Sequence, residues 1–151
     1  MSDLVTRLND DLKSAMKARD EFKVGVLRMV IAKVKDLHIV AGRDKPLADA
    51  QVVGVLASYA KQRADSADSF AQAGRADLRD KELRERDVVM SYLPEQLDDD
   101  GIRAAVREII AATGATSSRD LGKVMAPAMG RLKGQADGGR VQAIVKELLG
   151  G

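Results

Sequence analysis

The chain reads as an all-α protein, with a long-helix N-terminal bundle joined to a small C-terminal three-helix bundle. Three observations predict this. The composition leans on Ala, Leu, Met, Arg, Lys and Glu, the better helix formers. Aromatic residues make up 3%, and no segment alternates apolar and polar residues as a half-buried strand would. Apolar residues instead recur three or four apart along most of the chain, which places them on one helical face.

The elements follow in order. Ser2 is an N-cap with Asp3 behind it, where the positive helix end favours a negative charge, and Leu4, Leu8, Leu12 and Met16 form the first apolar stripe. A second helix opens at Asp20 and Glu21, carries Leu27, Val30, Ile31, Val34, Leu37 and His38, and ends at Gly42. After the polar connection to Pro46, a third helix runs from about Asp49 to Ala73 through Val52, Leu56, Tyr59, Arg63, Ala67 and Phe70. Val52-Val53-Gly54-Val55-Leu56 has the look of a strand, but the helical period continues well past it and its length decides for helix. Gly74 ends that helix. A fourth starts near Asp77, carries Leu78, Val89, Tyr92 and Leu93, and is expected to stop at Pro94, which pushes its predecessor out of the α region.

Past Pro94 the helices shorten. Asp98 caps one containing Ile102, Val106, Ile109 and Ile110, which ends near Gly114. Ser117 or Ser118 caps the next, where Pro127 is expected to kink or split the helix by removing a backbone donor. Gly134 to Gly139 reads as a glycine-rich turn, and Val141, Ile144, Val145 and Leu148 line a last helix. The domain boundary falls near residues 93–98, giving subdomains 1–94 and 95–151.

The 151 residues include no cysteine, which removes disulfides, thiolate nucleophiles and cysteine-based zinc sites. No apolar run follows the first charges, and none approaches the length of a membrane span; a soluble, cytoplasmic protein is the expectation. The methionines at 16, 29, 90, 125 and 129 read as core filling.

Little in the sequence points to catalysis. His38 lacks a second ligand at metal spacing and reads as a residue interacting with a helix C-terminus. Asp98-Asp99-Asp100 reads as a charged helix start, because the following residues do not supply alternating oxygen ligands. Neither a phosphate-binding loop nor a dinucleotide fingerprint is present. No catalytic residue, metal or cofactor is therefore assigned. Glu82 lies on the stripe that faces the core, and a buried carboxylate needs a partner; Lys61 or Arg63 on the preceding helix can supply a register-fixing ion pair. A hidden hydrolase built on Glu82 or His38 is the catalytic alternative.

Charge is informative once it is counted by segment. The net charge is +2 with 32% charged residues. Residues 95–118 hold Glu95, Asp98, Asp99, Asp100 and Glu108 against Arg103 and Arg107, a net −3. Residues 119–151 hold Arg119, Lys123, Arg131, Lys133, Arg140 and Lys146 against Asp120, Asp137 and Glu147, a net +3. Lys123, Arg131, Lys133 and Arg140 bracket the turn containing Gly134, Asp137 and Gly138. Glycines admit a close backbone approach, and the next helix offers free N–H groups at its positive end. Phosphate binding is the implication, with a merely solvated face as the alternative. No aromatic residue lies in this segment, so backbone- and shape-directed contact with structured RNA fits better than base stacking.

Two segments then carry a resemblance. Tyr92-Leu93-Pro94-Glu95-Gln96-Leu97 before an acidic helix start is one. Gly122-Lys123-Val124-Met125, with Met129 and Lys133-Gly134-Gln135-Ala136-Asp137-Gly138, is the other. Lys61-Gln62-Arg63-Ala64-Asp65-Ser66, with Phe70, Ala73-Gly74-Arg75 and Asp77-Leu78, adds a third stretch. Over essentially its whole length and in this order, the chain resembles the GatB/YqeY family. The resemblance implies a stand-alone relative of the helical tail that helps tRNA-dependent amidotransferases hold the tRNA body. It also implies a family-level label of carbon–nitrogen ligase activity with glutamine as amido donor, inherited from the larger enzyme. The partners it implies are tRNA and an amidotransferase or other tRNA enzyme. A helical module that docks on such an enzyme is the alternative function. Three positions depart from the family: Leu47-Ala48 where Ser or Thr is usual, Gly101 where Glu is usual, and Gln135 where a basic residue is common.

Overall fold

Local capping sets where most helices begin. In the computed structural model, which describes residues 2–150, the Ser2 side chain accepts the Val5 N–H and starts α1 (Asp3–Lys17). Asp20 accepts from Lys23 and starts α2 (Glu21–Ala41), which ends at Gly42 with a φ of 102°. The third helix, α3 (Asp49–Gln72), begins at Ala48, which has no capping side chain; the Gln51 carboxamide reaches back to the Ala48 N–H at 2.9 Å. That supplies half of a capping box at a start where Leu47-Ala48 replace the usual Ser or Thr. The Val52–Leu56 stretch is helical, as its period required. A Gly74 turn leads into α4 (Ala76–Met90).

These four helices form one unit, residues 1–93. Its core gathers Leu8, Leu27, Val30, Val52, Leu56 and Val89, all 1% exposed or less. Two expectations are corrected here. First, α4 ends at Met90, and residues 91–93 form a turn rather than further helix. Tyr92 leaves the helical path and its hydroxyl donates to Asp11 on α1 at 2.5 Å, while Arg7 lies 4.5 Å over its ring and donates to the Ser91 carbonyl. Second, Met16 and Met29 are about half exposed. On α1 the buried face runs through Leu8 and Ala15, so Met16 points past its edge. Met90, Met125 and Met129 do pack against cores.

The second unit spans residues 94–151. Asp98 accepts the Gly101 N–H at 2.8 Å and starts α5 (Asp99–Thr113), closed by Gly114 with a φ of 71°. A Cβ at Gly101 would press on Leu97 and on the capping Asp98 carboxylate at 3.2–3.3 Å, which gives a steric reason for the glycine. A single 3-10 turn, Ser118–Asp120, precedes α6 (Leu121–Leu132), and α7 (Gly138–Leu148) follows. The serine side chains do not cap this start; the Asp120 carboxylate takes the Thr116 N–H at 2.9 Å instead. Pro127 does not split α6. Both Pro127 and Lys123 are exposed, so the proline, which leaves the Lys123 carbonyl without its helical donor, falls on the side of α6 that is open to solvent. Ile102, Val106, Val124, Leu132, Val141 and Val145 form the core of this unit.

The described residues hold seven α-helices and no strand. Among them, no helix is long and apolar enough to cross a membrane.

Candidate functional site

The bases singled out in the C-terminal unit sit at helix ends. Lys123 is in the first turn of α6, Arg131 in its last turn, Lys133 at its C-cap, and Arg140 in the first turn of α7. All four are exposed. Between them Gly134 holds a φ of 80°, a conformation side-chain-bearing residues avoid.

This turn is committed to the fold. The Gln96 carboxamide donates to the Gly134 carbonyl at 2.5 Å, and the Leu97 N–H donates to the Gln135 carbonyl at 2.9 Å. In return the Gln135 carboxamide donates to the Glu95 carbonyl at 3.3 Å. The Pro94–Leu97 segment and the Lys133–Asp137 segment, apart in sequence, thus clasp one another through backbone carbonyls. The clasp gives both motifs a structural role.

The glycines after it also answer to packing. Gly138 and Gly139 belong to the first turn of α7, not to the preceding turn as the sequence suggested. A Cβ on Gly138 would lie 3.2 Å from Met129 Cε, and one on Gly139 would lie 3.0 Å from the Asp137 carboxylate. Asp137 is the cap: it accepts the N–H groups of Gly139 and Arg140 at 3.1 and 3.3 Å. The anion-attracting end of α7 is therefore already served by a carboxylate of the chain itself.

Three of the four bases are also engaged. Lys123 lies 3.6 Å from Asp120, Arg131 2.6 Å from Glu108, and Arg140 bonds to Asp99. Arg103 bridges Asp100 at 3.0 Å and Glu147 at 3.4 Å. The acidic segment and the basic segment counted in the sequence thus pair across helices within one unit. Lys133 has no such partner among the described residues. The Thr116 N–H, assisted by Lys123, holds the Asp120 carboxyl below the ordinary carboxylate range.

In the N-terminal unit the structure brings Glu82 to Arg63. Arg63 Nε lies 3.3 Å from Glu82, and its Nη1 lies 3.4 Å from Glu85. Lys61 is exposed on the same helix. Glu85, one helical turn after Glu82, was missed in the sequence, as was Tyr59, whose ring lies 5.2 Å beneath the Arg63 guanidinium. The i, i+3 spacing of the two glutamates was the available signal. His38 places Nε2 2.9 Å from the Lys45 carbonyl, tying α2 to the loop that follows it.

Residues 5–149 match the family described as Yqey-like protein. The chain is also similar to the protein named altered inheritance of mitochondria protein 41, mitochondrial, from several fungi. For Eremothecium gossypii it is 35% identical over 92 residues, covering 61% of this chain and 50% of the relative. For Kluyveromyces lactis it is 33% identical over 90 residues, covering 60% and 48%. For Clavispora lusitaniae it is 31% identical over 90 residues, covering 60% and 51%. The match spans about half the length of these relatives.

Proposed function

The chain belongs to the YqeY-like (GatB/YqeY) family, and on that footing we propose that it is a non-catalytic accessory protein that binds tRNA through its C-terminal unit. The observation that carries this reading is the set Lys123, Arg131, Lys133 and Arg140, all exposed at the helix ends around one turn. Their carboxylate partners do not preclude it. Exposed ion pairs are worth about 0–1 kcal/mol, and a phosphate offers guanidinium the same bidentate geometry as a carboxylate. The unit has no aromatic residue, so the contact is with phosphates and helix shape rather than with stacked bases. The carbon–nitrogen ligase chemistry implied by the family belongs to the larger enzyme, and no step of it is assigned to this chain. Glu82 needs no catalytic explanation, since Arg63 meets its charge.

A titration of total tRNA at low and at physiological salt tests the proposal. If all four bases leave their partners for phosphates, the log–log salt slope is roughly −3 to −4; if Lys133 alone engages, it is about −1. A Lys133→Ala, Arg140→Ala variant should bind much less. Absence of binding at low salt overturns the reading.

A second reading, a helical module that docks on a tRNA enzyme, is favoured by one observation. Met29, Ile39 and Val40 on α2 are 54%, 52% and 85% exposed, more apolar surface than one solvated helix face needs. Complex formation with such an enzyme that survives moderate salt would distinguish it.

A further inference from the structure

Two features coincide on the side of α2 that turns away from its bundle. The inner side is spent on the core through Val26, Leu27, Val30, Ile31 and Val34. On the opposite side Met29, Ala32, Asp36, Ile39 and Val40 are all exposed, and their spacing of three and four residues sets them in one stripe. All but Asp36 are apolar, and Val40 stands 85% exposed.

The second feature is charge. Arg28 and Lys35 flank the stripe on one side and Lys33 on the other, as their places in the helical turn require. Past the helix end, Arg43 and Lys45 continue the set. Their loop is held to the helix: the Lys45 N–H donates to the Gly42 carbonyl at 3.0 Å, and the His38 ring meets the Lys45 carbonyl. Residues 28–45 thus hold these five bases against Asp36 and Asp44, a net +3. None of the five basic side chains has an ion-pair or hydrogen-bond partner among the described residues. By contrast, Arg7, Arg63, Arg103, Arg131 and Arg140 all meet carboxylates. Exposed apolar side chains inside an unpaired basic rim fit a partner that is negative and apolar at once.

We propose that the outer side of α2, with the loop at 42–45, docks on the surface of a bilayer that contains anionic lipid. Met29, Ile39 and Val40 enter the headgroup layer while the bases meet lipid phosphates. This is how a basic amphipathic helix lies on a membrane without spanning it. Charge complementarity selects this occupant. A nucleic acid would satisfy the bases but leave Ile39 and Val40 in water, and an uncharged protein groove would leave the bases without counter-charge. A headgroup layer also accepts a protruding side chain such as Val40 without a matching pocket. The inference is independent of the RNA reading, because it uses another unit and other residues; it competes with the enzyme-docking reading for the same α2 side chains.

The test is flotation of the full chain with vesicles of phosphatidylcholine alone, or of phosphatidylcholine and phosphatidylglycerol in equal amounts. The chain should float with the anionic vesicles only, half-bound at roughly 1 mM lipid in low salt, and about 0.5 M salt should release it. Ile39→Ser with Val40→Ser changes exposed positions only, so it should keep the parent's melting temperature and bind about tenfold more weakly. Lys35→Glu with Arg43→Glu should abolish binding. Asp36→Asn removes the one acid of the stripe and should strengthen binding about fivefold. Lys133→Ala with Arg140→Ala should leave flotation unchanged. No flotation with anionic vesicles at low salt would overturn the proposal. So would undiminished binding by the Ile39, Val40 variant, which reduces the contact to adsorbed charge, or loss of binding in the Lys133, Arg140 variant, which moves it to the other unit. Dimerisation of the parent that the Ile39, Val40 variant abolishes would give the face to a second copy, and tRNA binding that requires Lys35 and Arg43 would give the bases to RNA; either result overturns it as well.

Discussion

Gly134 and Gly25 are opposite cases of the same residue type. Gly134 holds a φ of 80° and its carbonyl is taken by Gln96, so a side chain there meets the left-handed penalty without relief. Gly134→Ala should cost about 1–2 kcal/mol, read as a lower denaturant midpoint at unchanged slope. Gly25 is helical with open space at its Cβ, so Gly25→Ala should stabilise by about 1 kcal/mol. Asp120 contributes at the same scale through charge. Its carboxyl is held below the ordinary range by the Thr116 N–H, so its stabilisation is present above the ordinary carboxylate pKa and lost as pH falls through the lowered one. The stability gap between the parent and Asp120→Asn should therefore be full at neutral pH and close on acidification below about pH 4. A gap independent of pH would mean that the Thr116 contact does not distinguish the charged carboxylate.

The starts of α1, α2 and α5 were legible in the sequence because their causes are local. Ser2, Asp20 and Asp98 each cap within three residues of themselves. Helix ends and turns were less so, because their causes are distant. The end of α4 at Met90 goes with Tyr92 turning aside to reach Asp11, 81 residues earlier in the chain. Burial, then that hydrogen bond, raises the Tyr92 hydroxyl pKa, so it stays a donor at neutral pH; Tyr92→Phe should cost about 1 kcal/mol. The glycine pair at 138–139 reads as turn from its glycines alone, whereas the Asp137 carboxylate takes two N–H groups of α7 and starts the helix there. Asp137→Ala should lower stability by about 1 kcal/mol. Periodicity alone likewise does not set the edge of a buried face: it predicts Met16 and Met29 in a core that Ala15 and Val30 occupy.

At the scale of the whole molecule, the near-zero net charge conceals two segments of opposite sign, and counting recovered them. Counting could not show that they face each other: Asp99 with Arg140 and Glu108 with Arg131 join α5 to α7 and α6. That pairing changes the sign of a measurable response. A patch of unpaired bases repels itself, and added salt stabilises it by screening; a set of cross-helix pairs loses attraction instead. The C-terminal unit should therefore melt slightly lower as salt rises from about 0.01 M to 1 M, by an amount set by pairs worth about 0–1 kcal/mol each. The same pairs make the RNA reading testable in the direction of gain. Asp99→Asn with Glu108→Gln leaves the helices capped by Asp98 and Asp137 but frees two guanidinium groups. If those groups are the phosphate contacts, the variant should bind tRNA more tightly than the parent, because no carboxylate has to be displaced. Its salt slope should also stay near −3 to −4. Unchanged affinity in the variant would place Arg131 and Arg140 in the architecture of the unit and outside its contact with RNA.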